Sequence, residues 1–277
     1  MTPVRSTRTR WDLTILVTAI TLILNLPVIF LMLNSLQPTA AILARESLLP
    51  RSVSFDNYAF LFAKTPFLTY LKNSVITSLG ATVFSLFCAV SAGYALSRFR
   101  NRLLDVYGTT LFAVQMFPII LALIPLFLLF RPLGLIDTPL SVIIVYGVIN
   151  LPFVTWMARS YFDTIPRELE EAGLIDGCSH LSAFFRIVLP LSAPGLAAVS
   201  IFAFLLAYNE FFVANVFLRT EAAVTLPVGI QLFLQQFSTD WGSITAAATV
   251  TMLPTLVLFL FVQKYITHGA IAGGVKG

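Results

Sequence analysis

Apolar residues in this chain come in long runs, not in the period-two alternation of strands or the one-sided stripes of helices exposed to water. Six runs reach about the 20 residues a helix needs to cross the hydrocarbon of a bilayer. They cover 13–35, 73–97, 106–130, 139–160, 192–214 and 243–263. The pattern predicts an all-α fold: a polytopic transmembrane bundle of six spans, forming a single domain over 1–277. Pro27 falls inside the first run and, having no N–H to donate, is expected to kink it. The links between runs differ in character. Residues 36–72 and 215–242 are long and mixed, 98–105 is short and basic, and 131–138 is a tight turn holding Pro132, Gly134 and Asp137. Residues 161–191 are long, charged and patterned, and 264–277 is rich in glycine.

Composition sharpens this picture. Of 277 residues, 58% are hydrophobic and 11% are charged, against about 25% charged in an ordinary soluble domain. Burial in a large core does not account for so few charges, whereas lipid-facing helices do. The net charge of +4 belongs to basic residues lying between apolar runs, which points to membrane orientation. Nucleic acid is not an expected partner, because no stacking aromatics are interleaved with the basic residues.

With the N-terminus placed inside, inner segments hold Arg5, Arg8, Arg10, Arg98, Arg100, Arg102, Arg159, Arg167, Arg186, Lys264 and Lys276. Outer segments hold only Arg45, Arg51, Lys64, Lys72, Arg131 and Arg219. Both termini are therefore expected in the cytoplasm. The first run is longer than the roughly 7–15 apolar residues of a cleavable signal and reads as a retained span. Cys88 and Cys178 are expected to be unpaired thiols.

Several chemistries are missing. The lysines Lys64, Lys72, Lys264 and Lys276 follow Ala, Leu, Gln and Val, so no phosphate-cradling GxxxxGK[ST] loop is present. Any ATP and Mg would be bound by a partner, and no cofactor is expected in this chain. His180 and His268 lack neighbours with metal-ligand spacing, and no G-x-S-x-G elbow occurs. No catalytic or metal-binding residues are expected. Charges are scarce inside the runs, which argues against an ion-coupled secondary transporter. That class and a non-transporting membrane scaffold or membrane enzyme are the alternatives. Glu210 is an exception, either a solvated interfacial carboxylate or a group lining a pathway. Asn150, Trp156, Tyr208 and Asn209 could supply the stacking and hydrogen-bonding groups of a sugar path, or could simply pack.

The segment 163–191 carries the most information. Pro166 suits a first helical turn, and Glu168, Glu170 and Glu171 follow where acids meet the positive end of a helix dipole. Gly177 sits where a left-handed C-cap belongs, and Ser179 can cap a second short helix expected to end before Pro190. This spells a cytoplasmic helix–turn–helix. Its first helix offers the small residues Ala172 and Gly173, with Asp176 and Gly177 beyond. These fit a docking knob for a partner protein as well as a plain amphipathic surface helix.

Glu171-Ala172-Gly173, Asp176-Gly177 and Ile187-Val188-Leu189-Pro190 resemble the EAA loop of ABC importer permeases, with Gly173 in place of the second alanine. Asn73-Ser74, Tyr94-Ala95-Leu96-Ser97-Arg98, Asn209-Glu210-Phe211 and the Gly273-Gly274-Val275-Lys276-Gly277 ending are similar to the carbohydrate-uptake branch, in particular its smaller maltose-type permease. The resemblance implies a channel-forming subunit that is not itself an enzyme. It further implies a second homologous permease, two ATP-binding subunits and an extracytoplasmic solute-binding protein. Glu171, Ala172, Gly173, Asp176 and Gly177 would be the ATPase-coupling residues. Asn150, Trp156, Tyr208, Asn209 and Glu210 would be the substrate-pathway candidates.

Overall fold

Helices α1 (Thr7–Asn34), α2 (Thr39–Ala44), α3 (Asp56–Lys64), α4 (Phe67–Arg98), α5 (Arg102–Met116) and α6 (Ile119–Phe130) occupy the first half of the chain. They are followed by α7 (Pro139–Asp163), α8 (Arg167–Ile175), α9 (His180–Tyr208), α10 (Phe212–Phe217), α11 (Leu226–Gln236) and α12 (Trp241–Gly273). This computed structural model describes residues 7–44, 53–237 and 240–273, and no strand occurs among them. Arg5, Arg45, Arg51 and the ending Gly274-Val275-Lys276-Gly277, on which part of the sequence reading rests, lie outside the described residues.

Among the described residues, five helical stretches are long and apolar enough to cross a bilayer: Trp11–Asn34, Phe67–Arg98, Pro139–Asp163, His180–Tyr208 and Trp241–Lys264. Two expectations need correction. The third run is not one straight span, because α5 and α6 meet at an angle of 100° across Phe117 and Pro118. Pro118 forces its predecessor out of helical geometry, and Phe117 has ψ 123°. The helix expected to end before Pro190 does not end there. It runs on from His180 to Tyr208 through a π-helical turn at Phe184–Val188, where the Leu189 N–H donates to the Phe184 carbonyl. A wide turn just ahead of Pro190 relieves the crowding that the ring would cause in a regular helix.

The chain divides into two compact units. The first comprises Met1–Thr65 and Leu232–Met252. Its α1 exposes every side chain from Trp11 to Phe30 and runs on through Pro27. Asn57 Nδ2 donates to the Ser35 and Gln37 carbonyls, each at 2.8 Å. Thr39 Oγ1 donates to Asp240 at 2.5 Å.

The second unit, Pro66–Gln231 with Leu253–Gly277, carries the residues of interest. Its axis is the pair α4 and α7. The buried face of α4 is built of Ser74, Thr77, Ser78, Ala81, Ser85, Ala89 and Gly93, small residues at helical spacing. Such a face lets two backbones approach closely, as membrane helices do in place of bulky apolar packing. At Gly93 a Cβ would lie 3.0 Å from the Arg159 nitrogen and 3.1 Å from the Thr155 carbonyl oxygen. Most of the hydroxyls bond within α4 itself, for instance Ser78 to the Ser74 carbonyl at 2.6 Å and Thr82 to the Ser78 carbonyl at 2.7 Å, while the Ser74 hydroxyl accepts the Leu226 N–H at 2.7 Å. Helix α9 closes against both through Ala89, Val154, Val199 and Ala203.

Candidate functional site

The segment between α7 and α9 folds as the expected helix–turn–helix. Helix α8 opens after Pro166 and places Glu168 and Glu170 in its first turn. It closes in a Schellman motif, with Gly177 at φ +89°, its N–H on the Leu174 carbonyl at 3.0 Å and the Cys178 N–H on the Gly173 carbonyl at 2.9 Å. Ser179 then caps α9, accepting the Ser182 N–H at 3.2 Å.

The two arms pack closely at Gly173. Gly173 is buried, and a Cβ there would sit 2.5 Å from Ile187 Cδ1. Its small size therefore serves closure of the hairpin, whereas the sequence reading had placed Gly173 on a surface offered to a partner. Glu171, Ala172, Asp176 and Gly177 are exposed. Beside them the hairpin also exposes apolar side chains: Leu169 at 44%, Ile175 at 86%, Leu181 at 68% and Phe185 at 57%.

Polar groups fasten the hairpin to the spans. Glu170 pairs with Arg98 Nε at the last turn of α4 and accepts the Tyr94 hydroxyl at 2.8 Å. Both charged side chains are largely but not fully withdrawn from solvent, 7% exposed for Arg98 and 12% for Glu170. Arg98 also donates to the Ile165 carbonyl at 3.0 Å, in the link between α7 and α8. Ser97 donates to Asp163 at 2.5 Å, and Arg167 donates to the Ser97 carbonyl at 2.9 Å. Below them Ala158, Phe162, Ile165, Phe184 and Val188 form an apolar cluster, with Tyr94 packed against Phe162 and Phe184. Sequence reading placed Arg98 among the inner charges and Glu170 at a helix start. It did not connect them, because their separation of 72 residues leaves no local signal.

The five pathway candidates do not share one cavity. Asn150 is buried and donates to the Ala203 carbonyl at 3.1 Å. It borders a cavity of about 600 Å³ enclosed by α5, α6, α7 and α9, whose lining includes Gln115, Phe117, Phe153 and Phe202. Gln115 is a polar member that the sequence reading missed. Trp156 stacks on Phe112 at 4.4 Å under the Arg159 guanidinium. It lines a different, more polar cavity of about 670 Å³ with Arg100, Asp105 and Asp163. Tyr208 is buried and stacks on Phe204 at 5.3 Å. Asn209 is exposed and bonds back to the Leu205 carbonyl at 2.8 Å. Glu210 accepts the Phe212 N–H at 2.9 Å and the Val213 N–H at 3.0 Å, while its carbonyl accepts the Tyr146 hydroxyl. The carboxylate thus has a local task, fixing the break between α9 and α10.

At the end of this unit opposite the hairpin, Asp137 clasps the loop that follows α10. Its carboxylate accepts the Arg219 and Thr220 N–H groups at 2.7 and 3.0 Å. Burial alone would raise the Asp137 carboxyl, but the Thr220 and Arg219 N–H groups outweigh it and hold it below the usual carboxylate range.

Residues 81–270 match the family described as binding-protein-dependent transport system inner membrane component. The sulfoquinovosyl glycerol transport system permease of Agrobacterium fabrum is 36% identical across 91% of this chain and 88% of its own length. The trehalose transport system permease of Mycobacterium tuberculosis is 36% identical across 91% of this chain and 92% of its own. A crystal structure of a bacterial ABC transporter that imports the acidic polysaccharide alginate contains a chain similar at a TM-score of 0.76 and 26% identity. That match covers 95% of this chain and 99% of the other. The chain belongs to the inner-membrane components of binding-protein-dependent transport systems, the permeases of ABC importers, and is a transport subunit rather than an enzyme.

Proposed function

We propose that this chain is one of two permease subunits enclosing the path of an ATP-driven importer for a carbohydrate or carbohydrate-like solute, with the hairpin 163–191 as the handle for a separate ATPase. The observation that carries this reading is the hairpin's surface. Leu169, Ile175, Leu181 and Phe185 stand exposed on an element otherwise charged and braced from within. An exposed apolar patch rimmed by charges favours a protein partner. Glu171, Ala172, Asp176 and Gly177 lie beside it as contacts, and Gly173 acts through the hairpin's shape.

Family membership sets aside the ion-coupled and scaffold readings. Two ATP-binding subunits, a second permease and an extracytoplasmic binding protein complete the assembly in this proposal. The hairpin end of the second unit gathers Arg98, Arg100, Arg102, Arg159 and Arg167. The positive-inside rule favours a cytoplasmic location for that end, and with it cytoplasmic termini. The names of the relatives favour a sugar-like cargo. In this chain Gln115 and Asn150, with the aromatic rings beside them, are the groups we assign to the path, and a cavity of about 600 Å³ is within the usual range for a small ligand. Trp156 and Glu210 are assigned positioning roles, since each is engaged by its own neighbours.

Gly177→Val tests the handle. A β-branched residue at φ +89° costs about 1–2 kcal/mol in backbone strain, and it disrupts the Schellman turn. The expected result is at least a several-fold loss of co-purifying ATPase subunit and of uptake in membrane vesicles, with the permease still present in the membrane. Unchanged levels of both would count against the handle.

A further inference from the structure

We infer that Arg98 and Glu170 are positioning residues that make α4 part of the moving body, so that force applied to α8 reaches the spans through this part-buried ion pair as well as along the chain into α9. The inference rests on the reading of the hairpin as the ATPase handle.

Helix α8 has nine residues, too few to be stable alone. Its buried contribution is Gly173, which meets only the other arm of the hairpin. Apolar packing therefore gives α8 little grip on the membrane spans. Glu170 supplies it. One carboxylate oxygen faces Arg98 and the other takes the Tyr94 hydroxyl, both on α4. Arg98 at the same time holds the Ile165 carbonyl ahead of α8. A single guanidinium thus joins the end of α4, the link after α7 and the first turn of α8.

Withdrawing two charges from water is unfavourable unless their geometry is well satisfied. An apolar contact would hold the hairpin as firmly but could slide. A directional pair with three hydrogen-bonded partners, the Tyr94 hydroxyl, the Ile165 carbonyl and the Ser97 hydroxyl, fixes one arrangement. Its loss is expected to appear in the conversion of ATP turnover into transport before it appears in assembly.

The test uses the complete transporter in proteoliposomes, with the ATPase, the second permease and the loaded binding protein. Arg98→Gln, Glu170→Gln and the exchange Arg98→Glu/Glu170→Arg are compared for thermal stability, ATPase retention and solute moved per ATP hydrolysed. The single variants should retain ATPase and yet lose about tenfold in solute moved per ATP, and the exchange should recover most of that loss. Tyr94→Phe keeps the ring and removes one hydrogen bond; it guards against misfolding of the charge variants and should lower the same ratio by about two- to threefold. Wild-type ratios in the single variants, or in Tyr94→Phe where those do not fold, would overturn the inference. So would an exchange that folds and holds ATPase without recovering the ratio. Failure of the unaltered permease to retain any ATPase would instead overturn the reading of the handle itself.

Discussion

Single residues in this protein take their roles from what lies opposite them. Gly173 looks like part of a smooth docking face in the sequence, but it is the point where the hairpin arms meet, with Ile187 filling the space a side chain would need. Gly177, by contrast, is as the sequence implies: a residue at positive φ closing a Schellman turn. That turn was legible because its cause is local. The Arg98–Glu170 pair was not, because buried partners far apart in the chain leave no periodicity to read. Asp137 offers a pH prediction at this scale. A carboxyl depressed in the folded protein contributes stability above the ordinary carboxylate range, and that contribution is lost as pH falls through the folded value. With Cys88 and Cys178 replaced by serine, a spin label at Arg219→Cys, whose backbone N–H holds Asp137, should be immobile at neutral pH and gain mobility in acid. With Asp137→Ala it should be mobile throughout, and a label in the unaltered protein that ignores acid would contradict the clasp.

At the level of elements, hydropathy located the apolar runs because a bilayer demands length and composition. It did not locate bends. The pair α5 and α6 has the composition of one span, yet Phe117-Pro118 turns it by 100°. Pro190, a helix breaker by sequence, is carried within α9 by the π turn before it. Proline marks a place where the regular bond pattern must change, and packing decides whether that place becomes a corner or a bulge. The close α4–α7 contact gives a sharp test. Gly93→Leu would drive a side chain against the backbone of Arg159 and Thr155, which cannot withdraw as a flexible side chain could. Overpacking of this kind costs about 1–3 kcal/mol. The thermal midpoint of the purified assembly should fall, and a midpoint equal to that of the unaltered protein would show that α4 and α7 are not so closely apposed.

For the molecule as a whole, an all-α membrane protein and an importer permease were both readable from the sequence, the first from composition and the second from the hairpin motif. The solute path was not. Asn150, Trp156, Tyr208, Asn209 and Glu210 were legible only as candidates for a path or for packing, and they are spread among a buried backbone bond, an aromatic stack near the hairpin and the break after α9. A path shared between two subunits, as proposed, would leave only part of its lining in either sequence.

The central claim is that the hairpin is gripped by a separate hydrolase, and Ile175, 86% exposed at the end of α8, is the place to probe it. With Ile175→Cys as the sole cysteine, Cys88 and Cys178 being replaced by serine, in membrane vesicles containing the whole transporter, a thiol-reactive cross-linker should join the permease to the ATPase subunit, and uptake should stop until the link is reversed. A thiol that never links to that subunit, or that is labelled from the outer face by a reagent unable to cross the membrane, would contradict the account.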